Sequence, residues 1–233
     1  MVYMFRDRVD AGQQLARALA VYANRDDVLV LGVPRGGVPV AAEVSRALHV
    51  PLDVLIVRKL GAPEQKELAI GAIAGGGIRY LNHSLIEELG ISDEELGMVI
   101  ARETAEIERR EQLYRGVRPA LEVRDKTVIL VDDGIATGAS TLAAITALRA
   151  MGSRQIVVAV PVAPGRSMEI IERAADSFVA LLTPDDFYSI SQFYDDFSQV
   201  EDSQVSDLLA GPEFAHSGPP ATDKSATGSR GAA

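Results

Sequence analysis

The sequence predicts an α/β fold, a parallel sheet with helices on both faces, and three observations predict it. Short apolar, β-branched runs alternate with helical stretches between residues 27 and 182, the order that builds parallel strands joined by right-handed crossovers. At 233 residues, 47% of them hydrophobic, the chain suffices for one good core with some trimmings. The third observation is the run 128–141, VILVDDGIATGAST, in which a buried strand feeds two carboxylates, a turn of small residues and a helix start.

Each element has its own signal. A first amphipathic helix is expected over 8–24, with Val9, Leu15, Leu19 and Tyr22 near one face. Residues 27–33 read as a buried strand, and Pro34-Arg35-Gly36-Gly37 turns the chain into a helix over 38–48. A second strand over 52–57 runs into a polar loop, 58–67, punctuated by Gly61 and Pro63. The stretches 68–74 and 78–81 read as a short antiparallel pair around Gly75-Gly76-Gly77. Ser92 and Glu95 form a capping box that opens a helix running to about 115. After the strand 128–131 come a helix over 139–151, a strand over 156–160, a helix over 166–175 and a last core strand over 177–182. From about 211 the chain is rich in Gly, Pro, Ser and Ala with almost no apolar bulk, the composition of a disordered tail, 211–233.

Composition excludes several functions. Without cysteine there are no disulfides and no thiolate chemistry, and His49, His83 and His216 are scattered without metal-ligand spacing. The net charge is −10 with a pI near 4.8, and residues 174–210 hold eight acids with no Lys or Arg, so nucleic acid is not an expected partner. No apolar run approaches the roughly 18 residues of a membrane span, and MVYMFRDRVDAG lacks the apolar stretch of a signal peptide, so a cytoplasmic protein without membrane attachment is expected. Residues 102–118 carry five arginines interleaved with Glu103, Glu106, Glu108 and Glu111. This pattern is either a solvated helix face laced with i,i+4 pairs or a set of arginines that meet the acidic C-terminal segment or a phosphate.

The chemistry concentrates in two loops at strand carboxyl ends, where ligands collect in such sheets. The turn Ala136-Thr137-Gly138-Ala139-Ser140-Thr141 has no bulky side chain, so its backbone N–H groups and three hydroxyls can close on a phosphate at a helix N-terminus. Asp132 and Asp133 beside it would repel that phosphate unless they face sugar hydroxyls or a divalent cation carried by the same ligand. Gly36 and Gly37 let backbone amides approach a second anion, with Arg35 as a forked donor. An ATPase P-loop is absent, and Gly75-Gly76-Gly77 lacks dinucleotide-fold spacing.

An apolar run, two acids, two variable residues and a small-Thr-Gly-x-Ser/Thr loop closely resemble the signature of the type I phosphoribosyltransferases. With RGGVPVA and RKLGAP…ELAIGA, the resemblance covers roughly residues 27–200 and points to a bacterial group of unassigned base specificity. It implies a core over about 27–182, an inserted helix over about 92–116 and a small hood over about 183–200, all within a domain of residues 1–210. It also implies that Asp132 and Asp133 contact the ribose hydroxyls of phosphoribosyl pyrophosphate (PRPP), with Mg²⁺ held through PRPP and water rather than directly by the protein. Residues 136–141 would hold the 5′-phosphate, and Arg35, Gly36, Gly37 and Arg58 the pyrophosphate. Lys59, in the position of the family's flexible loop with Gln65 and Lys66, joins the acid pair among the catalytic candidates, and Glu67 is the acid-base candidate. Phe187 or Tyr188, among five aromatics in 187–197, would stack on the base.

Two departures from the family pattern bear on the base. Ala136 stands where enzymes for 6-oxopurines commonly carry Asp, and no Lys follows Val160-Pro161-Val162-Ala163-Pro164. The expected activity is Mg²⁺-dependent transfer of ribose 5-phosphate from PRPP to a nitrogenous base by a homodimer. The alternative is a PRPP- or nucleotide-binding regulator on the same fold.

Overall fold

The computed structural model describes residues 4–66, 68–116 and 120–211; Glu67 and the expected tail from residue 212 lie outside them. Eight strands and seven α-helices are found among these residues: α1 Arg8–Ala18, β1 Val28–Gly32, α2 Gly37–Leu48, β2 Leu52–Val54, β3 Val57–Gly61, β4 Ala69–Ala74, β5 Arg79–Leu81, α3 His83–Glu88, α4 Asp93–Arg115, β6 Thr127–Val131, α5 Ala139–Ala150, β7 Gln155–Val162, α6 Gly165–Ala174, β8 Ser177–Leu182 and α7 Asp202–Ala210. Strands β2-β1-β6-β7-β8 form a parallel five-stranded sheet, and β3-β4-β5 form a separate antiparallel one.

The central strands β1 and β6 are buried along their whole length, which explains their unbroken apolar runs. One sheet face packs Val28, Val30, Ile129 and Val131 with Leu15, Val40 and Val44 of α1 and α2. The other packs Leu29, Leu31, Val128 and Leu130 with Ala144, Ile145 and Leu148 of α5 and with Ile171 of α6. The antiparallel sheet lies against the far side of α5, and α4 packs on β3, β4 and α7.

Four expectations shift. The first helix stops at Ala18, followed by a 3-10 turn over Ala20–Tyr22. The stretch 52–57 is not one strand: β2 ends at Val54 and β3 starts at Val57 in the other sheet. Arg58 and Lys59 therefore sit inside a strand, paired with Ile73 and Ala72, and not in a loop. Across the β3–β4 hairpin the Leu68 carbonyl accepts from the Ala62 N–H at 2.9 Å. The pattern Val57-Arg58-Lys59-Leu60 disguises the strand because its charged side chains keep to the half-buried part while Leu60 and Gly61 go to the core. The short helices α3 and α7 add to the expected set.

Candidate functional site

The parallel pairing of β1 with β6 runs in register to Gly32 opposite Val131, so the loops 33–37 and 132–141 leave neighbouring strands side by side. Their fit depends on glycine. A Cβ on Gly36 would lie 2.6 Å from Asp133 Cγ, and one on Gly37 would lie 2.7 Å from the Val131 carbonyl oxygen and 2.8 Å from Asp132 Cα. The structure thus brings Gly36 and Gly37 directly against Asp132 and Asp133.

The small-residue turn is open to an anion. Gly138 takes the left-handed conformation at φ +79 as N-cap of α5, a backbone shape in which glycine escapes steric cost. Among the described residues no protein oxygen accepts from the N–H groups of Gly138, Ser140 or Thr141, and that of Ala139 has only Thr137 Oγ1 at 3.5 Å. These groups form the positive end of a twelve-residue helix. Ser167 Oγ pins the turn from α6 by donating to the Ala136 carbonyl at 2.6 Å. Ala136, Thr137 and Ser140 are exposed, whereas Thr141 is buried in the first turn of α5.

The acid pair is asymmetric. Burial, then the neighbouring Asp133 charge, push the half-buried Asp132 carboxyl well above its ordinary range. Burial also raises Asp133, but Arg8 opposes the rise. Arg8 Nε donates to Asp133 Oδ2 at 2.9 Å, and Tyr194 donates its hydroxyl to the Asp133 carbonyl at 2.7 Å. Asp133 is thus held from two sides, while Asp132 Oδ1 accepts from its own chain neighbour, the Asp133 N–H, at 2.9 Å. Arg8 carries no motif around it. Its sequence signal is a cation in the first turn of a helix, where the dipole disfavours positive charge.

Other candidates are tied to acids elsewhere in the protein. Arg58 Nε meets Glu103 of α4 at 2.8 Å, and Arg35 NH1 lies 3.8 Å from Asp202 of α7. Burial raises Glu103, but the Arg58 and Arg102 guanidinium groups outweigh it and hold the carboxyl below its usual range. Asp202 also accepts from the Tyr114 hydroxyl, which burial and that carboxylate push up to about 12. Lys59 is half-buried on β3 with an interaction of its own, and Gln65 and Lys66 are exposed in the hairpin turn. Phe187 stacks on Phe193 at 5.9 Å between ring centres, while Tyr188 is 90% exposed. The arginine-rich helix mostly follows the solvated-face pattern, with Glu106 bridging Arg109 and Arg110; Arg115 instead forms a buried pair with Asp53.

Fold and site together define a class, a parallel α/β protein whose strand carboxyl ends carry a glycine-dependent loop, an acid pair and a turn with open N–H donors. The model of the phosphoribosyl transferase domain matches residues 6–198, and the chain belongs to that family. It is 42% identical over 217 residues to a Mycobacterium tuberculosis protein, Rv0571c in strain H37Rv, provisionally named a phosphoribosyl transferase. That match covers 92% of this chain and 49% of the relative, so the chain spans about half the length of the curated relatives it matches. The crystal structure of TT1426 from Thermus thermophilus superposes with a TM-score of 0.81 at 42% identity, covering 88% of this chain and 97% of that one. Among the described residues no helix is long and apolar enough to cross a membrane.

Proposed function

We propose that the protein transfers ribose 5-phosphate from PRPP to a nitrogenous base. The base nitrogen attacks C1′ of the ribose, the C1′–oxygen bond breaks with its electron pair leaving on pyrophosphate, and the proton of the base N–H passes to the pyrophosphate or to water. The observation that carries this reading is that the open N–H donors of Gly138, Ser140 and Thr141 share one strand-to-helix loop with Asp132 and Asp133. A ribose 5-phosphate offers a phosphate to the first and a diol to the second.

In this reading residues 136–141 hold the 5′-phosphate and the acid pair faces the ribose hydroxyls. Arg35 turns from Asp202 to the pyrophosphate, which a 3.8 Å pair with both side chains more than a third exposed permits. In the same reading Lys59 reaches it from β3, and Arg58 does so only by leaving Glu103. No group of three or more metal-ligating side chains occurs among the described residues. Two adjacent carboxylates nevertheless suit Mg²⁺, which takes its remaining oxygens from substrate phosphates and water. Asp132 and Asp133 would hold it through water, and it would neutralise charge on the leaving pyrophosphate. The protein contributes by positioning and by stabilising developing charge.

The test is pyrophosphate release from PRPP and Mg²⁺ against a panel of purine and pyrimidine bases. Release with one base supports the transferase. PRPP binding without turnover on any base would instead identify a sensor, and no PRPP binding at all would defeat both.

A further inference from the structure

Arg8 is tied into the site by three contacts that converge from different parts of the chain. Its Nε donates to Asp133 Oδ2 at 2.9 Å, its NH1 donates to the Ser198 carbonyl at 2.8 Å, and its guanidinium carbon lies 3.9 Å above the centre of the Phe197 ring. The Arg8 and Asp133 side chains are only 11% and 12% exposed. The preceding residues are fixed as well. Phe5 is fully buried, donates its N–H to the Phe193 carbonyl at 2.8 Å and accepts from the Asp195 N–H at 2.8 Å, and Asp7 caps α1.

A forked, planar guanidinium stacked on an aromatic ring has little freedom, so the carboxylate it holds has little either. Asp133 is thereby clamped between Arg8 of α1, Tyr194 of the segment 193–198 and Gly36. A cation beside a phosphate-binding site is a natural anion ligand. Arg8 instead commits its Nε to a carboxylate and an NH1 to a backbone carbonyl, which is the geometry of a strut.

We infer that Arg8 is a positioning residue for the acid pair. It anchors Asp133 in one orientation through the Phe197–Ser198 platform, so that the pair meets the ribose diol with one fixed and one freer carboxylate. This rests on the proposed function for the identity of the ligand. The inference assigns Phe197 and Ser198 to the site through Arg8, although no ligand needs to touch them.

The experiment compares the full chain with Arg8→Lys, Arg8→Gln and Phe197→Leu. It measures PRPP binding with Mg²⁺ by calorimetry, melting of the free protein, and the Arg8 Nε–H resonance by NMR. Arg8→Gln should weaken PRPP binding at least tenfold in a folded protein. Arg8→Lys keeps the charge against Asp133 but loses the fork that reaches Ser198 and the stack on Phe197, so it should bind PRPP more tightly than Arg8→Gln yet severalfold more weakly than the parent. Phe197→Leu leaves no charge unpaired and so keeps the test alive if Arg8→Gln does not fold; it should weaken binding severalfold. The Nε–H resonance should persist when PRPP is added.

Parent-like binding in folded Arg8→Gln overturns the inference, as does parent-like binding in Phe197→Leu. Loss of the Nε–H resonance on adding PRPP also overturns it, because Arg8 would then leave Asp133 for the ligand. A parent protein that binds no PRPP refutes the proposed function itself, a result separate from each of these.

Discussion

Gly36→Ala tests how the two loops fit together. The backbone does not demand glycine there, since φ is −61 and ψ −34; the neighbouring carboxylate does. The added Cβ would lie 2.6 Å from Asp133 Cγ, roughly 1 Å inside the ordinary carbon–carbon separation of about 3.5–4.0 Å. Asp133 has little room to yield, because Arg8 holds its Oδ2 at 2.9 Å and Tyr194 holds its carbonyl. Overpacking of this kind costs about 1–3 kcal/mol, and stretching the Arg8 contact places Gly36→Ala toward the upper end. In a domain of this size the melting temperature falls by about 2–4 °C per kcal/mol.

Gly97→Ala is the internal control. It lies inside α4 with nothing within 4 Å of the added methyl group, so lower unfolded-state entropy should stabilise the protein by about 0.4–1 kcal/mol. One chemical change thus carries opposite signs at two positions. Urea unfolding with an unchanged m-value reads both. Combining Gly36→Ala with Asp133→Ala should relieve the overlap, giving a coupling of about 1 kcal/mol or more. A Gly36→Ala protein as stable as the parent, or a coupling near zero, would refute the steric argument.

Three further outcomes are expected. Because burial and the Asp133 charge raise the Asp132 carboxyl above 3.8, the unfolded chain releases this proton first, and stability is lost as pH climbs through the raised value. Asp132→Asn should remove that loss, leaving the free protein level or up to about 2 kcal/mol more stable at neutral pH, while PRPP binding weakens by about 1–3 kcal/mol; denaturation at two pH values and calorimetry check both. Gly138→Val forces a β-branched residue to φ +79, which should cost about 1–3 kcal/mol and abolish PRPP binding; undiminished affinity in the folded variant would remove the phosphate assignment. Arg115→Met removes the guanidinium that the fully buried Asp53 meets at 3.0 Å, and should destabilise by about 3–5 kcal/mol in urea; a loss below about 1 kcal/mol would show that this pair contributes little to the fold.

The parallel sheet is legible in the sequence because β1, β6 and β7 are mostly apolar runs between helical stretches, so local pattern and tertiary burial agree. The turn at 136–141 is legible because a run without bulky side chains beside two acids has few structural uses. Arg58 and Lys59 are misplaced by such a reading, because a half-buried strand with consecutive charges looks like a loop until its partner β4 is known. The Arg8–Asp133 contact is invisible for a different reason. It joins positions 125 apart, and nothing in the local sequence of either reports the other. The same holds for Arg35 with Asp202, where an acidic helix start supplies the partner of a loop arginine.

The bond from Arg8 to the Ser198 carbonyl closes a loop of 190 positions. During synthesis this connection must wait until residue 198 has emerged, after every strand of the parallel sheet. A nascent chain that has released β8 already owns the whole parallel sheet, yet its acid pair has neither the Phe197 platform nor the Tyr194 hydroxyl beside it. Long-range closures of this kind form late, because chain entropy must be overcome before they stabilise anything. Every strand of the parallel sheet is thus on hand before the platform that holds Asp133, which exists only once residues near 198 have returned to meet the beginning of α1.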